Sequence, residues 1–223
     1  MSRRGVILGC SLATLLLSGC FDVHQVDPGP SVLDDFDDGD FNPTDPNFGA
    51  WFCSSYNQAG SNYSCDHAAG DESLYALVLQ ATLVDPMDGL QQNGGAELGT
   101  VAASPEDFTA FTEIGFQAKV DLDPIPSGAT LDVEIACSTA EEEDGTVPGN
   151  LYVVSGVAFQ PVWTSFNMTF TNFGPPPWLA EPIKGGTAGC LRRADAIRFS
   201  FDPDLPDGQT ESFTLSIDDI TLQ

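Results

Sequence analysis

Basic residues are scarce in this sequence. Its 223 residues include 7 lysines and arginines against 33 aspartates and glutamates, so the formal net charge is −26. A surface this negative repels polyphosphate, which excludes nucleic acid as a partner. The same repulsion disfavours anionic membrane surfaces and acidic substrates, because the few cations cannot neutralise them.

The side chains that most enzymes use for proton transfer and nucleophilic attack are also few. The chain has two histidines, His24 and His67, and no spacing typical of a nucleophile elbow, a phosphate-binding loop or a zinc protease. A pair of carboxylates can hydrolyse a glycoside, but among 33 acids the presence of a pair carries no information. We therefore expect a protein that is not an enzyme.

An apolar run near the N-terminus is too short for a membrane span. Residues 5–17 are mostly apolar, whereas a transmembrane helix needs about 20 such residues. Arg3 and Arg4 precede the run and small residues follow it, as in a secretory signal peptide. The end of the run, Leu-Ser-Gly-Cys, resembles the bacterial lipoprotein cleavage box, in which the cysteine is lipidated and becomes the first mature residue. We predict a signal peptide at 1–19 and lipidation of Cys20; an ordinary signal peptide with a chance cysteine is the alternative.

The residues after Cys20 indicate where the protein is held. Phe21 stands where many inner-membrane lipoproteins have aspartate, which favours the outer membrane of a Gram-negative envelope, facing the periplasm or the outside. Residues 20–31 contain prolines and glycine and are predicted to be the lipidated cysteine and a short tether. The lipid would be the only contact with the membrane, and residues 32–223 would form a single domain.

Four cysteines remain in that domain once the leader and Cys20 are set aside. An even number in an exported domain indicates disulfides. Among the three connectivities that four cysteines allow, we favour Cys53–Cys65, closing a short polar loop, and Cys137–Cys190, joining two strands. A zinc site with four cysteine ligands is the rival, but no pair has the close spacing typical of such sites.

The hydrophobic pattern of the domain predicts β-structure throughout. Apolar and polar residues alternate in 130–135, 166–170 and 213–217, which is typical of strands with one buried face. The 22 glycines and 16 prolines fit frequent turns and argue against long helices, so the one helical turn expected is near 104–108. The predicted strands lie at about 48–56, 73–84, 96–101, 111–121, 129–138, 150–158, 162–171, 195–202 and 212–222. Nine strands in one domain predict an all-β sandwich or jelly roll.

Four segments of the domain form an ordered set of motifs. The first is the acidic opening at 33–40, which is followed by Trp51, and the second is 108–119. The third is 163–178, and the fourth is the closing segment 213–220. Together they resemble the galactose-binding-like jelly rolls of carbohydrate-binding modules, in particular the family 11 type. The resemblance spans nearly the whole domain and implies a jelly-roll β-sandwich that binds a carbohydrate.

The acids at the two ends of the domain extend this resemblance. The related modules bind a structural calcium ion between an acid of the first strand and one of the last, and the matching positions here are Asp35, Asp37, Asp218 and Asp219. The apolar positions of the last strand change phase at Asp218, as a β-bulge would cause, and a bulge can turn a carboxylate out of the ladder. Oxygen ligands suit calcium. The resemblance therefore implies bound Ca2+, and the alternative is that these acids are solvated turn residues.

Aromatic residues are the candidates for contact with a sugar. Sugar rings present C–H faces that pack on aromatic rings, while amides and carboxylates bind their hydroxyl groups. Trp51, Tyr56, Asn57 and Trp178 lie in or beside polar or proline-rich stretches and are the predicted ligand-binding residues. Trp51 could also belong to the core.

Two functions of different class remain. The first is a non-catalytic lipoprotein domain that binds a neutral polysaccharide at the cell envelope. The second is a structural or assembly module of the envelope that grips a protein partner through the same sandwich. A concave sheet face with polar and aromatic side chains would favour the first, and a face filled with apolar side chains would favour the second.

Overall fold

The structure, a computed structural model, describes most of the predicted domain. The described residues are 31–56, 62–71, 73–84, 95–122, 130–137, 151–158, 160–176, 185–201 and 210–223. The predicted signal peptide, Cys20, Asn57 and Trp178 lie outside them. Within these ranges no helix has the length and apolarity needed to cross a membrane.

Strands dominate the described residues, as the alternation predicts. In chain order they are β1 (Ser31–Asp34), β2 (Phe52–Tyr56), β3 (Asn62–Ala68), β4 (Ala76–Val84), β5 (Gly95–Glu106), β6 (Glu113–Asp121), β7 (Thr130–Cys137), β8 (Leu151–Ala158), β9 (Thr164–Thr169), β10 (Ala194–Phe201) and β11 (Thr210–Leu222). All nine predicted strands are present. Two further strands were not predicted: β1, which is only four residues long, and β3, whose polar sequence has no apolar alternation.

The strands form two antiparallel sheets. The six-stranded sheet has the order β3-β4-β11-β6-β9, with β1 also paired to β11, and the five-stranded sheet has the order β2-β5-β10-β7-β8. The predicted all-β jelly-roll sandwich is therefore confirmed. Because neither order follows the chain, residues far apart in sequence become neighbours across each sheet.

One hydrophobic core lies between the sheets. Leu215 and Ile217 of β11, Ile197 and Phe199 of β10, and Ile135 of β7 are all completely buried in it. Side chains alternate along a strand, so the residues between these face outward from the sandwich. This alternation decides which groups are available to a ligand.

The first and last strands are neighbours, as the acidic motifs predict. β1 runs antiparallel to β11, with Asp34 opposite Ile220. The pairing of β11 with β6 shifts between Asp218 and Thr221, and Asp219 has a φ of 50°, which few residues other than glycine adopt. The predicted bulge is confirmed, and it lies close to the acidic opening of the domain.

Both favoured disulfides are present. Cys53–Cys65 joins β2 to β3 and so ties the edge of one sheet to the edge of the other. Cys137–Cys190 joins β7 to a short helix, α1 (Gly186–Leu191). The expectation that Cys190 lies on a strand is wrong, since six glycine-rich residues carry too little periodicity to predict a helix.

Two smaller expectations need correction. The predicted helical turn begins later, at Phe108–Ala110, because β5 continues through Glu106. Asp107 caps this turn, and its Oδ1 accepts a 2.9 Å hydrogen bond from the backbone nitrogen of Thr109. The position of Trp163 at the start of an alternating strand predicts that it lies in the core. The residue is instead half-buried at the surface, where the Nζ of Lys119 lies 5.5 Å from the ring centroid.

Candidate functional site

The centre of the outer face of the five-stranded sheet carries polar side chains. They alternate with core residues along β2, β5, β7 and β10 and therefore lie on the side of the sheet away from the core. We call this surface the polar face and define it by Ser54, Glu97, Asp132, Glu134, Arg198 and Ser200.

Strand register arranges the polar face in rows. In one row Arg198 of β10 lies beside Glu134 of β7. In the next row Ser200 of β10 lies between Glu97 of β5 and Asp132 of β7. Neighbouring strands are about 4.8 Å apart, so the side chains of a row are within reach of each other and of one ligand.

The acids of the polar face are sheltered from water although they lie outside the core. Burial raises the pKa of Glu134 to about 7; the negative charge of Glu97 adds to the rise, and the positive charge of Arg198 opposes it. Burial also raises the pKa of Asp132, against a hydrogen bond from Thr130. The carboxylates of the polar face are therefore partly withdrawn from water.

Two glycines make room for side chains of the polar face. A Cβ atom on Gly156 of β8 would lie 2.5 Å from Oδ1 of Asp132. A Cβ atom on Gly99 of β5 would lie 2.9 Å from Cζ of Phe52 and 3.0 Å from Cγ of Arg198. The side chains of Asp132 and Arg198 therefore occupy the space above these glycines, which fixes where their charged groups lie.

Arg198 has donor capacity that the described residues do not use. Its Nε atom is buried and has no hydrogen-bond partner among them. Leaving a buried donor unpaired costs about 1–3 kcal/mol, which an oxygen atom of a ligand would recover once the side chain shifts to expose Nε. Ser54 is already engaged, since its Oγ donates a 2.6 Å hydrogen bond to Oε1 of Glu97. Arg198 is the group of the polar face best prepared to bind a ligand.

Trp51 does not belong to this surface. The residue is 4% exposed, and its ring centroid lies 5.5 Å from that of Phe36 and 6.4 Å from that of Phe199. Its Nε1 donates a 2.7 Å hydrogen bond to Oδ2 of Asp34. Of the two interpretations the core is right, and the prediction of Trp51 as a ligand-binding residue is wrong, because an enclosed ring offers no face to a sugar.

The other predicted ligand-binding residues stay predictions. Tyr56 is the last residue of β2 and pairs with Gly95 at one end of the five-stranded sheet; its side chain is outside the described part. Asn57 and Trp178 lie wholly outside the described residues.

Sequence analysis missed the polar face, although one signal was present. The alternation in 130–135 places Asp132 and Glu134 on the face opposite the core. Acids facing away from a core are ordinarily solvated, and nothing in a single strand shows that β10 will set Arg198 beside them.

The acids at the ends of the domain meet around one short segment, 73–75. The backbone nitrogen of Leu74 donates a 2.9 Å hydrogen bond to Oδ1 of Asp37. The hydroxyl of Ser73 donates to Oδ2 of Asp218. The opening of the domain and its last strand therefore present carboxylates to the same segment. We call this part of the surface the acidic edge and define it by Asp37, Ser73, Tyr75 and Asp218.

Oxygen atoms converge within the acidic edge beside Gly70. A Cβ atom built on Gly70 would collide with the hydroxyl of Ser73 and with Oδ2 of Asp218, and it would lie 3.0 Å from the carbonyl oxygen of Tyr75. Burial raises the pKa of Asp218 to about 6, while the hydrogen bond from Ser73 lowers it and the charge of Asp219 raises it. Oxygen atoms around a desolvated carboxylate are the donor set that calcium prefers.

The remaining predicted calcium ligands are directed elsewhere. Oδ2 of Asp219 accepts a 2.7 Å hydrogen bond from Nε2 of Gln117, and Oδ1 of Asp35 accepts one of 3.2 Å from the backbone nitrogen of Asp37. In the part of the chain that the structure describes, no three His, Cys, Asp or Glu side chains form a metal-binding group. The structure brings Asp37 and Asp218 together and leaves Asp35 and Asp219 with other partners.

Asp34 is a buried acid that sequence analysis did not single out. The residue is 1% exposed, and its Oδ1 accepts a 3.0 Å hydrogen bond from the backbone nitrogen of Phe36. Burial raises its pKa to about 6, although its hydrogen bonds to Phe36 and Trp51 lower it. Asp34 thus ties β1 to the tryptophan of the core and shapes the loop that leads to Asp37.

Comparison with solved structures identifies molecules of the same shape. The family 11 carbohydrate-binding module of the cellulosomal cellulase Lic26A-Cel5E of Clostridium thermocellum aligns with a TM-score of 0.55 and 19% identity, over 87% of this chain and 94% of that module. A family 11 module from Clostridium thermocellum in complex with a β-1,3-1,4-mixed-linked tetrasaccharide aligns with a TM-score of 0.53 and 19% identity, over 86% and 94%. No protein-family model and no curated protein matches the chain.

This likeness settles the fold. At 19% identity it shows a shared architecture, and that architecture is the jelly-roll β-sandwich of family 11 carbohydrate-binding modules. The resemblance seen in the four sequence motifs is confirmed at this level.

Proposed function

We propose that this protein is a non-catalytic module that binds a neutral polysaccharide across the polar face. The observation that carries the proposal is Arg198 among half-buried acids, with a buried Nε that has no hydrogen-bond partner in the described part of the chain. Carboxylates accept the protons of sugar hydroxyl groups, and arginine donates to their oxygen atoms. Because a similar module was solved with a β-1,3-1,4-mixed-linked tetrasaccharide, glucans of this linkage are the first ligands to test.

The charge of the polar face supports a neutral ligand. Glu97, Asp132 and Glu134 lie around one cation, Arg198. A polysaccharide of uronic acids would bring further negative charge beside half-buried carboxylates, whose charges are poorly screened. Neutral glycans avoid this repulsion and still supply hydroxyl groups to every side chain of the face.

The alternative, a scaffold that grips a protein partner, has less support. Such a surface would be filled with apolar side chains, because apolar area supplies most of the affinity between proteins. The centre of this face is ionic, since Glu97, Asp132 and Glu134 lie around Arg198.

Replacement of Arg198 with alanine tests the proposal. We expect the affinity for soluble β-1,3-1,4-glucan to fall at least tenfold, because a hydrogen bond to a charged group contributes about 1.5–3 kcal/mol and about 1.4 kcal/mol corresponds to a factor of ten. Affinity electrophoresis in gels that contain the glucan measures the change as a loss of retardation.

Arg192→Ala is the matched control for this experiment. Arg192 is exposed, directly follows α1 and carries the same charge, but it lies outside the polar face. Retardation that Arg198→Ala loses and Arg192→Ala keeps supports the proposal. Equal retardation of the two variants, or no retardation of the unmodified protein on any neutral polysaccharide of a broad panel, refutes it.

We also propose a structural calcium ion at the acidic edge. Asp218, Ser73 and the carbonyl oxygen of Tyr75 would hold it, and the hydroxyl of Ser73, which fills the space beside Gly70, would shift to admit the ion. The ion would neutralise the buried charge of Asp218 and fasten β11 to segment 73–75. This proposal is supported by the donor chemistry and by the raised pKa of Asp218.

Calcium should raise the melting temperature of the protein. A ligand at a hundred times its dissociation constant adds about 2.7 kcal/mol of stability, which corresponds to about 5–10 °C for a domain of this size. Asp218→Asn should abolish the shift, and Asp219→Asn should keep it because that side chain contacts Gln117. Thermal melts with calcium and with EDTA measure the effect, and identical melts of the unmodified protein in both would rule the ion out.

The proposed place of this module is the outer membrane of a bacterial envelope, anchored by a lipid on Cys20. The proposal is supported by the leader at 1–19 and by the cleavage box that ends at Cys20. A tether at 20–31 would let the sandwich reach polysaccharide near the membrane surface.

A further inference from the structure

The outer face of the six-stranded sheet contains a groove of about 410 Å3. It lies across β3, β4 and β11 and ends at Asp121 of β6. Because the two sheets stack face to face, this groove and the polar face are on opposite sides of the sandwich. Its lining side chains are hydroxyl and amide groups, and we call it the hydroxyl groove: Asn62, Ser64, Gln80, Thr82, Ser212 and Thr214.

Strand register orders these groups as a grid. One row across the three strands consists of Asn62, Thr82 and Ser212. The next row consists of Ser64, Gln80 and Thr214. Groups in a row are about 4.8 Å apart, and the rows are about 6.8 Å apart, two residues along a strand. Thr82 Oγ1 and Ser212 Oγ lie 2.8 Å apart and hydrogen-bond to each other. Such a grid presents donors and acceptors over a continuous surface.

The lining chemistry selects the class of ligand. Asp121 is the charged residue of the lining, and its Oδ2 lies 3.6 Å from Nζ of Lys119, so the groove gives an anion no free cation. An apolar ligand would lose the hydration of the hydroxyl and amide groups without replacing their hydrogen bonds. A neutral molecule rich in hydroxyl groups satisfies the lining, since each of its groups can both donate and accept.

Tyr63 also belongs to the lining, but it pairs with the core-facing Ala81. Its side chain therefore points to the side of β3 opposite the hydroxyl and amide groups. Recognition in the groove rests on those hydroxyl and amide groups. The volume falls within the usual range for small-molecule sites, about 300–1,000 Å3.

We propose that the hydroxyl groove is a second glycan-binding site, which takes a short segment of a neutral saccharide. Its evidence is independent of the polar face. Two sites on opposite faces would let one molecule bridge two polysaccharide chains, and this bridging part rests on the proposed function of the polar face.

Nuclear magnetic resonance titration with neutral tetrasaccharides tests the groove directly. The probes are the β-1,3-1,4-linked glucan tetrasaccharide and the gluco-, manno-, xylo- and galacto-oligosaccharides of the same length. We expect shifts of the backbone amides of Thr82 and Thr214 that saturate with their own dissociation constant. The double variant Thr82→Val/Thr214→Val removes two hydroxyl groups and should weaken this binding at least tenfold. Thr169→Val, on β9 of the same sheet, is the control and should leave it unchanged.

The two proposals fail in different ways in this experiment. Arg198→Ala should remove the shifts of the polar face and leave those of the groove, and the groove variant should do the reverse. Shifts confined to the polar face overturn the second site alone, and shifts confined to the groove overturn the proposed function alone. The unaffected set of amides in each variant also shows that the variant is folded. If no probe causes shifts at either surface, both proposals are overturned.

Discussion

Replacing both cysteines of the Cys137–Cys190 disulfide with alanine is expected to lower the free energy of unfolding by about 4 kcal/mol, from the loop-closure entropy of the unfolded chain. The two residues are 53 positions apart, so the reduced chain gains much conformational freedom when it unfolds. Both side chains are also buried, Cys190 completely, and their truncation leaves space in the core. A domain of this kind is stable by about 5–15 kcal/mol, so the loss is a large fraction of the total.

The second disulfide supplies the comparison. Cys53 and Cys65 are 12 positions apart, and the same relation gives a loss of about 3 kcal/mol for the corresponding double alanine variant. Both of its cysteines are only half-buried, so the cavity contribution is smaller. Urea denaturation of the two double variants measures the difference. A Cys53→Ala/Cys65→Ala protein that is the less stable of the two would contradict the argument.

Acidification from pH 7.5 to pH 4.5 in the absence of calcium is expected to stabilise the protein. Burial raises the pKa of Asp34 and of Asp218 to about 6 and that of Glu134 to about 7. An acid whose pKa is higher in the folded chain binds more protons there than when unfolded, so stability falls as the pH rises from its unfolded to its folded pKa. For Asp34, whose pKa rises from 3.8 to about 6, the part of this effect between pH 4.5 and pH 6 corresponds to about 2 kcal/mol.

The variant Glu134→Gln/Asp218→Asn should flatten this pH dependence. Both replacements keep the shape of the side chain and remove the buried charge that destabilises the folded protein at neutral pH. Asp121→Asn is the control, because its side chain is 59% exposed and its charge is solvated in both states. Asp107 acts in the opposite direction, since hydrogen bonds from Thr109 lower its pKa. Thermal melts across this range in EDTA give the slope, and a melting temperature that falls on acidification would contradict the expectation.

Local patterns were enough to predict the strands and the bulge. Alternation with period two marks each long strand because a sheet packed on one side buries every second residue, as in 130–135 of β7. The same reasoning located the bulge, because the apolar positions change from odd-numbered (Leu215 and Ile217) to even-numbered (Ile220) residues across Asp218. Where a segment buries little, as β3 does, or is short, as α1 is, the pattern carries no signal and the element was missed.

The sequence by itself determined the class of this protein: an acidic, disulfide-bonded β-sandwich whose first and last strands meet. Only the tertiary structure decided which residues share a surface. Arg198 lies beside Glu134 because β10 inserts between β5 and β7, and Trp51 is in the core because its ring nitrogen pairs with Asp34. Strand order and buried polar pairing depend on contacts between distant parts of the chain, and these are fixed when both sheets close over one core.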